Sequence, residues 1–156
     1  MKEEFDDMPK DYQLRERLGF RMSRISKLMQ ARLESGLAEH GLTRLKWCVL
    51  SGVAFEGHTA PSDLADHIGV TRPVVSRLLK VMIDDGLIAR KLSTHDGRGR
   101  EIDVTPLGME KLRKCWPMVE RNQTHFLDKL SDDERRQLDQ ILDVLGAGES
   151  DRLDTL

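Results

Sequence analysis

The chain is poor in the residues that announce a chemistry. It has two cysteines, Cys48 and Cys115, in 156 residues and no CxxC pair. That excludes a disulfide framework and leaves a reducing cytoplasm as the expected location. Aromatic residues make up 4% of the chain, and runs of strand-forming residues are few, which argues against an all-β protein. No apolar stretch approaches the roughly 20 residues that a transmembrane helix needs. The opening MKEEFDDMPK is acidic and lacks the apolar centre of a secretory signal, so no membrane partner is expected. The histidines, at 40, 58, 67, 95 and 125, include no short-range ligand pair such as HxxxH, so neither a metal site nor a cofactor is expected. A glycine-rich phosphate loop, an HExxH helix and a nucleophile elbow are all missing. Asp84-Asp85 sits at a helix end beside Gly86 and reads as a solvated pair. An enzyme is therefore not expected.

Charged residues are abundant, at 33%. With leucine, arginine, glutamate and aspartate dominant, they point to a helical protein of one domain with a real core. The net charge of −2 is unevenly spread. Residues 71–100 hold seven Lys/Arg against three Asp, and the rest holds 18 basic against 24 acidic residues. A local basic region on an acidic chain suits a nucleic-acid contact that is not indiscriminate.

That region belongs to the stretch PSDLADHIGVTRPVVSRLLKVMIDDGL, residues 61–87. Leu64, Ala65 and Ile68 give a short first helix its apolar face. Gly69 can take the left-handed conformation that ends it. Thr71 is placed to cap a second helix, and Pro73 falls in its first turn. Val75, Leu78, Leu79 and Met82 face inward. Arg72, Ser76, Arg77 and Lys80 face outward. An amphipathic helix pair with a solvated basic face would share each single feature. Their combination matches a helix-turn-helix whose second helix enters the DNA major groove.

Upstream, Leu14, Leu18, Met22, Ile25, Leu28, Met29, Leu33 and Leu37 form one stripe of a long helix from Asp11, stopped at Gly41. It exceeds what one small core needs, which implies a second subunit. Thr43 caps a further helix over residues 44–55, with Leu45, Val49, Leu50 and Val53 as its buried members and Trp47 as core anchor or pocket wall. Beyond Gly86, Leu87–Leu92 and Glu101–Val104 are extended in character and flank a DG turn, which makes a β-hairpin with a basic tip. An arginine at such a tip suits a narrow minor groove. Thr105-Pro106 starts a helix reaching about Lys129, with Leu112, Cys115, Trp116, Val119 and Phe126 apolar. Ser131-Asp132-Asp133-Glu134 is a capping box for a last helix that carries Leu138, Ile141, Leu142 and Leu145.

The expected fold is mainly α with a small β-hairpin wing, a winged helix-turn-helix. Its parts are an N-terminal arm and long helix (1–42), a DNA-binding lobe (43–105), and C-terminal helices with a polar tail (106–156). Arg72, Pro73, Ser76, Arg77 and Lys80, with Thr71, are assigned to the major groove and its phosphates. Arg44 and Lys46 are assigned to backbone phosphate. Arg98, with Arg100 as the alternative, is assigned to the minor groove.

This order of elements resembles the MarR family of winged-helix transcriptional regulators. The resemblance is carried by Leu18-Gly19-Phe20, Gly41-Leu42-Thr43, Trp47 and Leu50, Leu64-Ala65, and Val75-Ser76-Arg77-Leu78-Leu79. It continues through Asp85-Gly86-Leu87-Ile88-Ala89-Arg90, Asp96-Gly97-Arg98 and Val104-Thr105-Pro106-Leu107-Gly108. Gly99-Arg100 departs from the pattern and adds a second wing arginine. The resemblance implies a homodimer joined through the N- and C-terminal helices as a dimerisation layer. It also implies a pseudo-palindromic operator on double-stranded DNA, and repression relieved by a small molecule such as an aromatic acid. By analogy Asp96 orients the wing arginine, and Phe20, Arg24, Trp47 and Trp116 wall the effector site. The alternative is a thiol-based repressor using Cys48 or Cys115, with Arg113 and Lys114 as the cationic neighbours of the latter.

Overall fold

The fold is described from a computed structural model, for residues 9–92 and 100–149. After a 3-10 turn at Leu14–Glu16 come α1 (Leu18–Ala38), α2 (Arg44–Glu56), α3 (Pro61–Ile68) and α4 (Arg72–Asp84). The hairpin strands β1 (Ile88–Leu92) and β2 (Arg100–Val104) follow, then α5 (Pro106–Leu127) and α6 (Asp132–Gly146). The strands are antiparallel, with Ile88 opposite Val104 and Leu92 opposite Arg100. The loop after α2 joins the sheet edge, because the Ile102 N–H donates to the Thr59 carbonyl at 2.8 Å.

Most helix ends follow local chemistry. The Thr43 hydroxyl accepts from the Lys46 N–H at 3.2 Å. Ser131 and Glu134 form the full capping box of α6. Two expectations fail. α1 begins at Leu18 rather than near Asp11: its N-cap Arg17 makes no side-chain bond, and Leu14 is exposed, so no packing holds an extra turn. Thr71 stands at the N-cap of α4 with the expected backbone angles, yet its side chain makes no capping bond.

The core gathers Leu37, Leu42, Trp47, Val49, Leu50, Val53, Leu64, Ala65, Val75, Leu79, Met82, Leu87, Ile88, Ile102, Leu112 and Cys115. Ile68 and Leu78 are half-buried at its margin, and Leu45 is half-buried as well. Trp47 is core, at 7% exposure, whereas Trp116 is 46% exposed. α1 is clamped to α5 by Lys111 Nζ donating to the His40 carbonyl at 2.6 Å and by Asn122 Nδ2 donating to the Met29 carbonyl at 3.3 Å. Even so, α1 buries only Leu37 and α6 buries no residue. Leu18, Ile25, Ile141 and Val144 are all more than half exposed. These stripes are apolar by sequence, and among the described residues they stay largely exposed.

The hairpin and α5 meet at Thr105. Its hydroxyl donates to the Gly86 carbonyl at 2.6 Å and accepts from the Gly108 N–H at 3.1 Å, while its own N–H reaches the Leu87 carbonyl at 3.1 Å. Gly108 lies so close to the hairpin base that a Cβ would fall under 3.0 Å from the Leu87 carbonyl oxygen and 2.6 Å from Val104 Cγ1. The T-x-x-G spacing is thus a packing requirement. Among the described residues, no helix is long and apolar enough to cross a membrane.

Candidate nucleic-acid interface

α3 and α4 are joined at Gly69, which has φ 76° and ψ 36°, the left-handed conformation anticipated for it. Its N–H and that of Val70 both reach the Ala65 carbonyl, at 3.0 and 3.1 Å. Ala65 is itself buried. α4 then turns Val75, Leu79 and Met82 into the core. Thr71, Arg72, Pro73, Ser76, Arg77 and Lys80 are all exposed. The uncapped Thr71 leaves its hydroxyl and the first α4 amide groups available to an anion.

Arg90 joins this surface. A depression of about 410 Å³ between α4 and β1 is lined by Ser76, Lys80, Ile83, Asp84 and Arg90. Arg90 had no assigned role in the sequence reading, although it falls in the basic stretch. Its place beside Lys80 depends on how the hairpin folds back.

Lys46 is placed differently from its expected role. Its Nζ lies 2.7 Å from Asp85 Oδ2, and the side chain is only 17% exposed. That pair ties α2 to the end of α4 and commits the ammonium within the chain. It also shows that Asp85 is salt-bridged rather than merely solvated. Arg44 is half-buried, and its Nε has no hydrogen-bond partner among the described residues. Asp96 and Arg98, at the hairpin tip, lie outside the described residues. Arg100 begins β2.

The four proposed effector-site residues do not converge in one chain. Phe20 and Arg24 line a cavity of about 470 Å³ along α1, with Ser23, Lys27, Leu28 and Ala31. Trp116 lines another, of about 290 Å³, with Phe55, Met109, Leu112, Arg113 and Pro117. Pro117 lies inside α5 and withholds an N–H from the helix ladder at this wall. Trp47 backs Trp116 from the core, with ring centroids 6.3 Å apart, and Phe55 meets Trp116 edge-on at 5.7 Å.

Burial disfavours the thiolate at both cysteines. Burial pushes the Cys48 thiol up, against a smaller opposing pull from Arg44. Burial likewise raises Cys115, and the cation that opposes it is Lys111 rather than Arg113 or Lys114. Thiolates are disfavoured at both positions.

One constellation escaped the sequence reading. Glu56, His58 and His67 bring one ligand atom each to within 4.8 Å of one another. His67 Nε2 lies 3.2 Å from Glu56 Oε1, and the two imidazole centroids are 4.2 Å apart. A search for ligand pairs on one helix could not find it, because its members come from the end of α2, the following loop and α3.

Residues 40–99 match the family model described as MarR family. That segment is similar to the MarR family. The match covers α2 through β1, the segment holding the helix-turn-helix. The HTH-type transcriptional repressor Rv2887 of Mycobacterium tuberculosis is 23% identical over 130 residues, covering 83% of this chain and 94% of that protein. The S. aureus MepR–DNA complex superposes with a TM-score of 0.81 at 19% identity, over 88% of this chain and 100% of that one. CouR from Rhodococcus jostii RHA1 bound to p-coumaroyl-CoA superposes at 0.76 with 20% identity, over 88% and 97%. The winged-helix fold of these structures is therefore shared over most of this chain.

Proposed function

We propose that this chain is a MarR-family, sequence-specific, DNA-binding transcriptional regulator acting as a cytoplasmic homodimer, with a binding role and no catalytic one. The observation that carries this is the α3–Gly69–α4 unit. It sets a cationic, hydroxyl-bearing face outward while Val75, Leu79 and Met82 anchor the same helix in the core. Arg72, Ser76, Arg77 and Lys80, now with Arg90, face the major groove and its phosphates. Arg98, or Arg100 in its place, takes the minor groove, oriented by Asp96. Residues 43–105 act as the DNA-binding lobe. The exposed apolar stripes of α1 and α6 supply the dimer layer, and a two-fold dimer reads a pseudo-palindrome.

Repression relieved by a small aromatic-acid-like ligand is the regulatory reading. Two relatives support its parts, since one is named a repressor and another was captured with p-coumaroyl-CoA. The Trp116 cavity, with Arg113 on its wall, offers an aromatic surface beside a cation, and the Phe20/Arg24 cavity offers a second such pairing. A ligand acts here only through its differential affinity for two dimer geometries. Burial of both thiols weighs against the redox alternative.

The test is fluorescence anisotropy on the DNA upstream of the gene, at several salt concentrations, with wild type beside Arg77→Ala and Arg98→Ala. Competitor-resistant binding that weakens in both variants is the expected result. Equal, weak binding by all three proteins to any duplex refutes the interface.

A further inference from the structure

We propose that Glu56, His58 and His67 form a binding site for one divalent transition-metal ion of the zinc class, with water completing the coordination. Two imidazoles and a carboxylate are a donor set that zinc accepts, and an exchangeable water fits a three-ligand site. The geometry is close to what such an ion requires. Tetrahedral zinc, with bonds of about 2.0–2.1 Å to nitrogen and oxygen, sets neighbouring ligand atoms roughly 3.3 Å apart. The His67 Nε2 to Glu56 Oε1 separation is already 3.2 Å. No separation in the group exceeds 4.8 Å. The His58 and His67 rings lie against each other, with centroids 4.2 Å apart and planes tilted by 31°. Glu56 and His67 are exposed and His58 is half-buried, which leaves an entry path from solvent.

The backbone explains why the three meet. α2 ends at Glu56 because Gly57 adopts the left-handed cap at φ 74°. The chain reverses there, and the His58 N–H returns to the Gly52 carbonyl at 3.0 Å. That turn aims His58 at α3, whose His67 rests against Gly52, where a Cβ would approach its ring to 3.2 Å. An ion at this position bridges the end of α2, the loop whose Thr59 carbonyl holds β2, and α3, the helix that precedes the α4 interface. Loading it braces the lobe across these three elements. The site stands on these side chains alone and does not depend on the DNA-binding reading.

The full-length protein, stripped with a chelator, is titrated with Zn²⁺ in competition with a chromogenic chelator, and with Co²⁺ under visible spectroscopy. Glu56→Gln, His58→Gln and His67→Gln are run beside His125→Gln as control. The expected result is one ion per chain, a cobalt d–d band, and a rise in Tm of roughly 5–10 °C at saturating metal. Each ligand substitution lowers affinity by at least about 10-fold, and His125→Gln leaves it unchanged. Absence of saturable binding overturns the proposal, as does binding that the three substitutions leave intact. All three positions lie outside the core, and far-UV circular dichroism verifies that the variants are folded.

Discussion

Gly108→Ala is the substitution whose cost follows most directly from the packing. An added Cβ lands under 3.0 Å from the Leu87 carbonyl oxygen, 2.6 Å from Val104 Cγ1 and 3.2 Å from Leu50 Cδ2. Restoring ordinary contact distances requires α5 and the hairpin base to separate by about 1 Å. The nearest atom is backbone, so no rotamer change relieves it. Overpacking of this kind costs about 1–3 kcal/mol, and the upper end applies where backbone must move. Exchanging glycine for alanine in a helix returns at most about 1 kcal/mol. The net loss is about 2 kcal/mol, a fall in Tm of roughly 4–8 °C for a chain of this length. In urea the midpoint drops by roughly 1 M. Gly36→Ala is the internal control. Its Cβ also meets close atoms, but they belong to the flexible Met118 side chain, with Cγ at 2.7 Å and Cε at 3.3 Å. Met118 can rotate, and the gain in helix propensity offsets the adjustment, leaving stability within about 0.5 kcal/mol of wild type. Both variants are unfolded in urea at one protomer concentration, because dimerisation contributes to the measured stability. If Gly108→Ala matches wild type, or Gly36→Ala proves the more damaging, the close approach at the hairpin base is not what demands glycine.

Lys80→Ala should lower the slope of log K against log salt by about 0.9 if that ammonium meets a phosphate. Lys46→Ala should leave the slope unchanged, since Asp85 already holds Lys46; equal slopes in both variants would reject the distinction. Ile141→Glu, which places a charge on the exposed stripe of α6, should shift the sedimentation velocity of the dimer to that of a monomer while helix content is kept. A variant that stays dimeric removes α6 from the dimer layer. Cys115 is held above its ordinary pKa of 9.0 by burial, so the folded chain keeps the thiol protonated. Its contribution is fully present below the unfolded pKa and is lost as pH rises through the higher folded value. Stability should therefore fall on the alkaline side in wild type and fall less in Cys115→Ala. Alkylation of Cys115 at pH 7 that is as fast as a free thiol's would contradict this.

The parts legible in the sequence are those governed by local chemistry. Gly69 had to be the turn, because its position between two apolar faces demands a left-handed residue and the next helix follows at once. Thr43, Thr105 and the Ser131–Glu134 box cap their helices through bonds that span only three residues. The hairpin was readable from its change of period, and the exposed face of α4 from helical spacing alone. Long-range pairing is not local and had no signature. Nothing near Lys46 in sequence indicates that Asp85, 39 residues on, captures its charge. Nothing in the spacing of Phe20, Arg24, Trp47 and Trp116 shows that the first two line one cavity, Trp116 lines another and Trp47 stays in the core. The same reason hid the Glu56–His58–His67 cluster, whose members meet only because Gly57 reverses the chain and α3 packs back on Gly52. Bonds within one turn are set by the residues that make them, and contacts between elements are set by the angle at which those elements pack.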